Sequence, residues 1–295
     1  MTGPIGVIDT DRLRAALVAS SSPWAAVEHH ASLGSTNARA AEVGRPWHVV
    51  VADHQTAGRG RLQRRWDSPA GSSLLVSATV PLPPPSREAR SDAGWVPLLT
   101  GVAVLRAVET ATGPTGPTGQ RGQRGQPGLR ATLKWPNDVL LPADGSRKVC
   151  GILCEVVTGG PGALVVIGIG LNITQSREEL PVPTATSLLL AGATDVDPTS
   201  LAVSFLEQLA RLYAGLVAGA AEMAAVRAAY RDRCATLGQE VRLSRTGADD
   251  VVGRAVAVDD DGRLVIEAGD GRTAWAAGDV VHLRPADAGP WPPPE

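Results

Sequence analysis

Apolar positions along the chain follow the helical period in some stretches and the strand period in others, and the order of the two predicts the architecture. Leu13, Ala16 and Leu17 share one face of a helix over Asp9–Ala19 behind an acidic start. Leu33-Gly-Ser-Thr-Asn-Ala-Arg-Ala40 reads as a turn entering a helix, with Ser35 or Thr36 as the N-cap. Val49–Asp53 and Ser73–Val80 are strands, the second stopped by prolines at 81 to 85. Trp95, Leu98, Leu99, Val102 and Leu105 recur at helical spacing, and that helix should end near Gly113. Ala131–Trp135, Lys148–Val157 and Leu164–Ile173 are strands. Asp197-Pro198 opens a long helix with Leu201, Phe205, Leu209, Leu212 and Leu216 inward, and a second helix runs from Ala221 to Cys234. After Gly238 the pattern breaks into short strands between Asp/Gly turns: Glu240–Leu243, Val251–Val258, Leu264–Glu267 and Arg272–Trp275. That is the pattern of a small all-β barrel.

Two segments stand outside this alternation. Glycine recurs at 113, 116, 119, 122, 125 and 128, an insert between a helix and a strand that is too short for a collagen triple helix. It lengthens one connection without touching the core. The tail from Gly289 is Pro-rich and reads as disordered. The expected division is a catalytic-sized domain over 1–236 with the flexible insert at 113–130, a barrel over 237–286, and a tail over 287–295.

Composition narrows the function classes. The 295 residues carry a net charge of -2, so no global bias draws the chain to nucleic acid or to anionic membranes. An anionic ligand would need a local cluster of cations. With two Tyr and one Phe the core must be aliphatic; of the seven Trp, Trp66 and Trp135 sit beside glycine and charge, where a ligand face can form. Cys150, Cys154 and Cys234 are an odd, small set, expected as free thiols in a reducing compartment. Four residues along a strand separate the first two by about 13 Å, too far for a bridge. With no signal sequence in the first residues and an apolar run at 163–171 too short to span a bilayer, the expectation is a cytoplasmic protein.

Four segments carry candidate chemistry. Gln55 and Gly58-Arg-Gly-Arg-Leu-Gln-Arg-Arg-Trp66 combine close backbone approach with fixed guanidinium charge. The spacing is neither a Walker loop nor a dinucleotide-binding turn; the choice is an anion-binding loop or a solvated basic turn. Lys134-Trp-Pro-Asn-Asp138 ends a strand in a turn that could hold a phosphate and Mg²⁺, or could simply be a turn. Lys148-Val-Cys-Gly-Ile-Leu-Cys-Glu155 and Gly168-Ile-Gly-Leu-Asn172 place glycines inside strands, which suggests a ligand against the backbone.

Taken together with Ser35-Thr-Asn37, and in this order, these segments resemble biotin protein ligases over roughly residues 33 to 285. The resemblance implies an α/β fold: a mixed-sheet, class II synthetase-like catalytic domain with a C-terminal SH3-like barrel. It implies an ATP-dependent enzyme that forms biotinyl-adenylate and passes biotin to a lysine of a biotin carboxyl carrier domain of acyl-CoA carboxylases. Carried over position by position, Lys148, Arg59 and Lys134 would be catalytic. Ser35, Thr36, Asn37, Gln55, Arg59, Gly60, Arg61, Lys148 and Gly151 would bind biotin. Gly58, Arg61, Arg64, Trp66, Asn137 and Asn172 would bind ATP or the adenylate, and Asp138 would contact Mg²⁺. The family's loop usually has glycine where this chain has Gln63, a position at which glycine could supply a positive φ. A lipoate or octanoate ligase is the nearest alternative. A DNA-binding repressor is disfavoured, because about thirty residues precede the Ser-Thr-Asn turn and hold no basic recognition helix. A homodimer is left open.

Overall fold

The computed structural model describes residues 7–18, 22–83, 92–113, 128–158, 162–245, 247–269 and 271–283. Most of the glycine-triplet insert and the Pro-rich tail lie outside the described residues. Seven strands make one sheet: β1 (Ala26–His30), β2 (His48–Ala52), β3 (Ser73–Pro81), β4 (Thr132–Lys134), β5 (Asp138–Leu141), β6 (Arg147–Val157) and β7 (Leu164–Asn172), in the order β1-β2-β3-β7-β6-β5-β4. Only β1 and β2 run parallel; every other pair is antiparallel.

The period of two along the central strands sorts their side chains onto two faces. Val49, Val51, Leu74, Val76, Ile167, Ile169 and Leu171 face a large core completed by α1 (Thr10–Leu17), α3 (Val96–Thr112), α4 (Pro198–Ala218) and α5 (Ala220–Arg233). On the other face, among the described residues, the short α2 (Thr36–Val43) is the one helix, with Ala40 packed on Val50 and Val166. Gly168 and Gly170 fall on this thinly covered face, and that leaves room for a pocket.

The expected helices start where their caps dictate. Asp9 accepts from the Arg12 amide, Ser35 from that of Ala38, and Asp197 from those of Thr199 and Ser200. α4 is long and apolar enough to cross a membrane by length and composition, which the strand-like apolar runs alone did not reveal. Its apolar stripe is spent in the core, where Leu201, Phe205, Leu209, Leu212 and Leu216 are all buried. Two strands departed from the expected pattern. β1 carries Glu28, His29 and His30 and shows no hydrophobic alternation. Asp138, expected in a turn, opens β5 and pairs with Gly151 of β6. The insert begins and ends at one point: the Leu129 amide donates to Thr112 Oγ1 at 2.9 Å, and a Cβ on Gly128 would lie 3.0 Å from the Cα of Gly113.

Five antiparallel strands form the second sheet: β8 (Glu240–Arg245), β9 (Ala248–Val258), β10 (Leu264–Ala268), β11 (Gly271–Trp275) and β12 (Asp279–His282), ordered β11-β10-β9-β8-β12. β12, which the sequence pattern missed, is only four residues long. This small barrel is docked on the seven-stranded domain by buried indoles. Trp135 is 1% exposed and donates from Nε1 to the Gly262 carbonyl at 3.0 Å; Trp95 Nε1 donates to that of Asp260 at 2.8 Å. Trp135 is therefore a seam between domains, not the ligand face that its neighbours in sequence suggested.

Candidate functional site

The pocket opens on the thinly covered sheet face, and glycines make its floor. In register, Gly151 of β6 lies opposite Gly170 of β7, and Gly168 lies between Ser77 of β3 and Leu153 of β6. The space above these glycines is filled by the protein's own side chains. A Cβ on Gly170 would sit 2.4 Å from the Trp66 ring, and one on Gly168 would sit 2.0 Å from Asn37 Oδ1. The close approach expected of a ligand is thus made, in the first instance, by Trp66 and Asn37, which form the pocket's walls.

One part of the pocket is a hydrogen-bond relay. The Thr36 amide donates to Gln55 Oε1 at 2.7 Å. A backbone N–H can only donate, so the Gln55 carbonyl is spent there and its NH₂ remains for a ligand. Behind it, Asn37 Nδ2 donates to Glu155 Oε2 at 2.7 Å and to the Leu153 carbonyl, leaving Asn37 Oδ1 to accept from the Ser77 hydroxyl at 2.6 Å. Ser77 is wholly buried, and neither it nor Glu155 was among the expected site residues. The signal for Ser77 was a polar residue at an inward position of a strand; Glu155 closed one of the four segments carrying candidate chemistry but was given no role. Ser35, as the N-cap, lines the same part.

The other part is cationic. Lys148 Nζ lies 2.6 Å from Asp138 Oδ1 and 5.8 Å from the Trp66 ring centroid. Arg61 extends NH1 to Asn137 Oδ1 at 3.1 Å and NH2 to the Gly278 carbonyl of the barrel at 3.2 Å. Burial lowers the pKa of Arg61, only partly countered by Asp138. Lys134 is lowered for the same reason, with Lys148 and Arg64 adding repulsion. Asp138 is the carboxylate common to these cations, which leaves an excess of positive charge to be met by an anion. Arg59, Gly60, Asn137 and Gly151 complete the lining.

Lys134 and Asp138 lie beside the pocket without lining it, and three further expected residues stand elsewhere. Asn172 is 4% exposed and does not line the pocket; it donates to the Thr186 carbonyl and accepts from Gln175, fastening the chain after β7. Arg64 points away to Asp279 of the barrel. Gly58 lies at the loop's base, where its carbonyl accepts from the Trp66 amide. Among the described residues, no group of three or more Asp, Glu, His or Cys gathers to hold a metal. Asp138, the expected Mg²⁺ contact, is paired with Lys148.

The loop geometry answers the question raised by Gln63. Gly60 N–H donates to the Arg64 carbonyl at 2.7 Å across a tight turn, and Leu62 and Gln63 both adopt left-handed φ, at 55° and 60°. Neither is glycine, so the turn carries strain of about 1 kcal/mol at each position. Gln63→Gly should relax it, and tryptic cleavage within the loop should slow by about two- to fivefold.

At the domain seam, His282 Nε2 lies 3.1 Å from Thr236 Oγ1, an atom that also accepts the Trp135 amide. Burial, reinforced by nearby Lys134, lowers the His282 pKa to about 4 from 6.5. In the window between those values the unfolded chain takes up a proton that the folded chain refuses. The stability this group contributes is complete above pH 6.5 and is lost as pH falls towards 4. His282→Gln should flatten the fall in melting temperature across that window.

Comparison with known proteins places the chain. Residues 36–172 match the model of the biotin/lipoate A/B protein ligase family, and 236–283 that of the biotin protein ligase C-terminal domain. The chain is 38% identical over 282 residues to the biotin–[acetyl-CoA-carboxylase] ligase of Mycobacterium tuberculosis, covering 94% of this chain and 96% of that protein. It is 34% identical over 231 residues to the corresponding ligase of Paracoccus denitrificans, covering 74% and 85%. Among solved structures, the biotin protein ligase from Aquifex aeolicus in complex with biotin and ATP superposes with a TM-score of 0.70 at 24% identity, covering 89% of this chain and all of that one.

Proposed function

The chain belongs to the biotin protein ligase family, and from that premise we propose how its own residues divide the work of activating biotin with ATP and transferring it to a protein lysine. The observation that carries the assignment is the pairing, in one pocket, of a neutral hydrogen-bonding relay with a cluster of cations sharing a single carboxylate. Biotin has a neutral ureido ring at one end and a carboxylate at the other. The ring needs donors and acceptors once it leaves water; Gln55, Thr36, Ser35 and Asn37 supply them. The valeryl chain would lie against Trp66, which itself packs on Gly170 and Gly151.

The carboxylate must meet the α-phosphate of ATP, and two anions repel more strongly as water is excluded. Lys148, Arg59 and Arg61 offset that repulsion while a carboxylate oxygen attacks phosphorus and pyrophosphate leaves. Lys134 and Arg64 serve the departing phosphates, and Asn137 orients Arg61. The acceptor lysine's amine then attacks the carbonyl carbon of biotinyl-adenylate, and AMP leaves. The residues at hand do not form a resident Mg²⁺ site, since Asp138 is one carboxylate already paired; a divalent ion would arrive on the triphosphate. No step is assigned to it.

We infer a biotin carboxyl carrier domain as the acceptor, in keeping with the names of the relatives. Three free thiols accord with a reducing, cytoplasmic setting. Lipoate ligation is disfavoured by the C-terminal domain match. The deciding experiment is ATP–pyrophosphate exchange with biotin or lipoate, followed by avidin blotting of a carrier domain. Exchange driven by biotin alone, with labelled carrier, is the expected result. Exchange driven by lipoate, or by neither acid, would overturn it.

A further inference from the structure

The arginine loop of the larger domain is fastened to the barrel at one corner, Gly278 and the first residue of β12, Asp279. Arg64 is ion-paired with Asp279, and Arg61 bridges from Asn137 on its own domain to the Gly278 carbonyl at 3.2 Å. We propose that this corner is the latch of the loop, and that Asp279 is a positioning residue that holds it closed over the pocket through Arg64. The assignment of the loop to the biotin and nucleotide site is the reading argued above, and the proposal rests on it.

Three observations give the corner this role. The corner is a fixed anchor, because the barrel is pinned by Trp135 to Gly262 and by Trp95 to Asp260. Its shape is fixed too: Gly278 has φ of 152°, and a Cβ there would lie 2.4 Å from Leu243 Cδ1 in the barrel core. The loop, in contrast, has a reason to open. Leu62 and Gln63 hold left-handed φ without being glycine, and Leu62 is 55% exposed, so burial gives that turn little support. The closed turn needs an outside hold, and the two guanidinium contacts to one corner supply it. Arg64 keeps 64% of its side chain exposed, so the pair can be exchanged: an incoming triphosphate competes with Asp279 for the same guanidinium. Asp279 therefore keeps the loop ordered before nucleotide arrives and gives up its partner when it does.

The test uses the full-length protein in three single variants and one double: Asp279→Ala, Asp279→Glu, Arg64→Gln, and Arg64→Gln with Asp279→Ala. The first reading is tryptic cleavage after Arg61 in the ligand-free protein, which follows the population of the open loop. Asp279→Ala should raise the rate by about two- to fivefold, the range expected for one exposed ion pair, at an unchanged melting temperature. Asp279→Glu should restore most of the protection. In the Arg64→Gln background, Asp279→Ala should add nothing, since the two share one interaction. The second reading is escape of biotinyl-adenylate, trapped by hydroxylamine, which should rise in Asp279→Ala while the kcat of biotin-dependent pyrophosphate exchange is held. Equal cleavage in wild type and Asp279→Ala, or an increase that persists without Arg64, would overturn the latch. Absence of biotin-dependent exchange in the wild type would instead count against the functional reading, and the cleavage result would still judge the latch.

Discussion

Replacing Lys148 with glutamine should slow biotin-dependent pyrophosphate exchange by about 10²- to 10³-fold while shifting the melting temperature by only a few degrees. Lys148 stands where the pocket's charge is decided: its Nζ is 2.6 Å from Asp138 and faces the Trp66 ring, and its stem lies against Gly151. The substitution acts twice in the same direction. It removes a cation from the place where carboxylate and α-phosphate are proposed to meet, and it takes from Asp138 its ion-pair partner, so that more of that charge repels both. Glutamine keeps the stem and a hydrogen-bond donor, so packing is preserved and the loss falls on the chemistry. The double variant Lys148→Gln, Asp138→Asn should recover part of the rate, because it removes the repulsion without restoring the cation. A loss of less than about tenfold, against the range for a preorganised charge, would mean that Lys148 does not sit at the reacting groups.

Gly168→Ala should weaken biotin binding by about 100-fold or more and destabilise the fold by roughly 2–3 kcal/mol. The added methyl would lie 2.0 Å from Asn37 Oδ1 and 2.8 Å from its Cγ, so Asn37 must leave its place. When it does, Glu155 loses the donor at 2.7 Å and buried Ser77 loses its acceptor. Thr36 and Gln55 stand on the same relay through Ser77, so the damage passes to the groups proposed to hold the ureido ring. Ile167→Val is the control. It lies next in sequence but on the opposite face, in the helix-covered core, and should cost about 1 kcal/mol with biotin affinity intact. Isothermal titration with biotin and thermal melts distinguish the two; equal biotin affinity in both variants would sink the argument.

The contrast between neighbours 167 and 168 shows how much of this protein was legible from its chain. Helix starts at Asp9, Ser35 and Asp197 were readable because a cap is a local contact between a side chain and an amide three residues away. The alternation Ile167-Gly-Ile-Gly-Leu171 was readable as a strand with glycines, but the occupant of the space above them was not: Asn37 and Trp66 come from segments more than a hundred residues earlier. β1 was missed because its partners are charged side chains on an edge, and β12 because four residues carry too short a pattern. Trp135 illustrates the reverse error. Its neighbours Lys134 and Asn137 are at the cationic site, yet its own ring turns to the barrel, because successive strand and turn residues point in different directions.

The arginine loop marks the boundary between the two kinds of knowledge. Its residue types were fixed by the sequence: guanidinium groups between glycines, closed by a tryptophan, suited to anions because a guanidinium carries its charge regardless of context. Which arginine does what was decided only by tertiary structure. Arg61 turns to Asn137 and the barrel, Arg59 lines the pocket, and Arg64 leaves it for Asp279. These partners are set by the packing of two domains whose contacting residues lie some two hundred positions apart. Local sequence determines what a segment can bind; the fold determines which of its groups is left free to bind it.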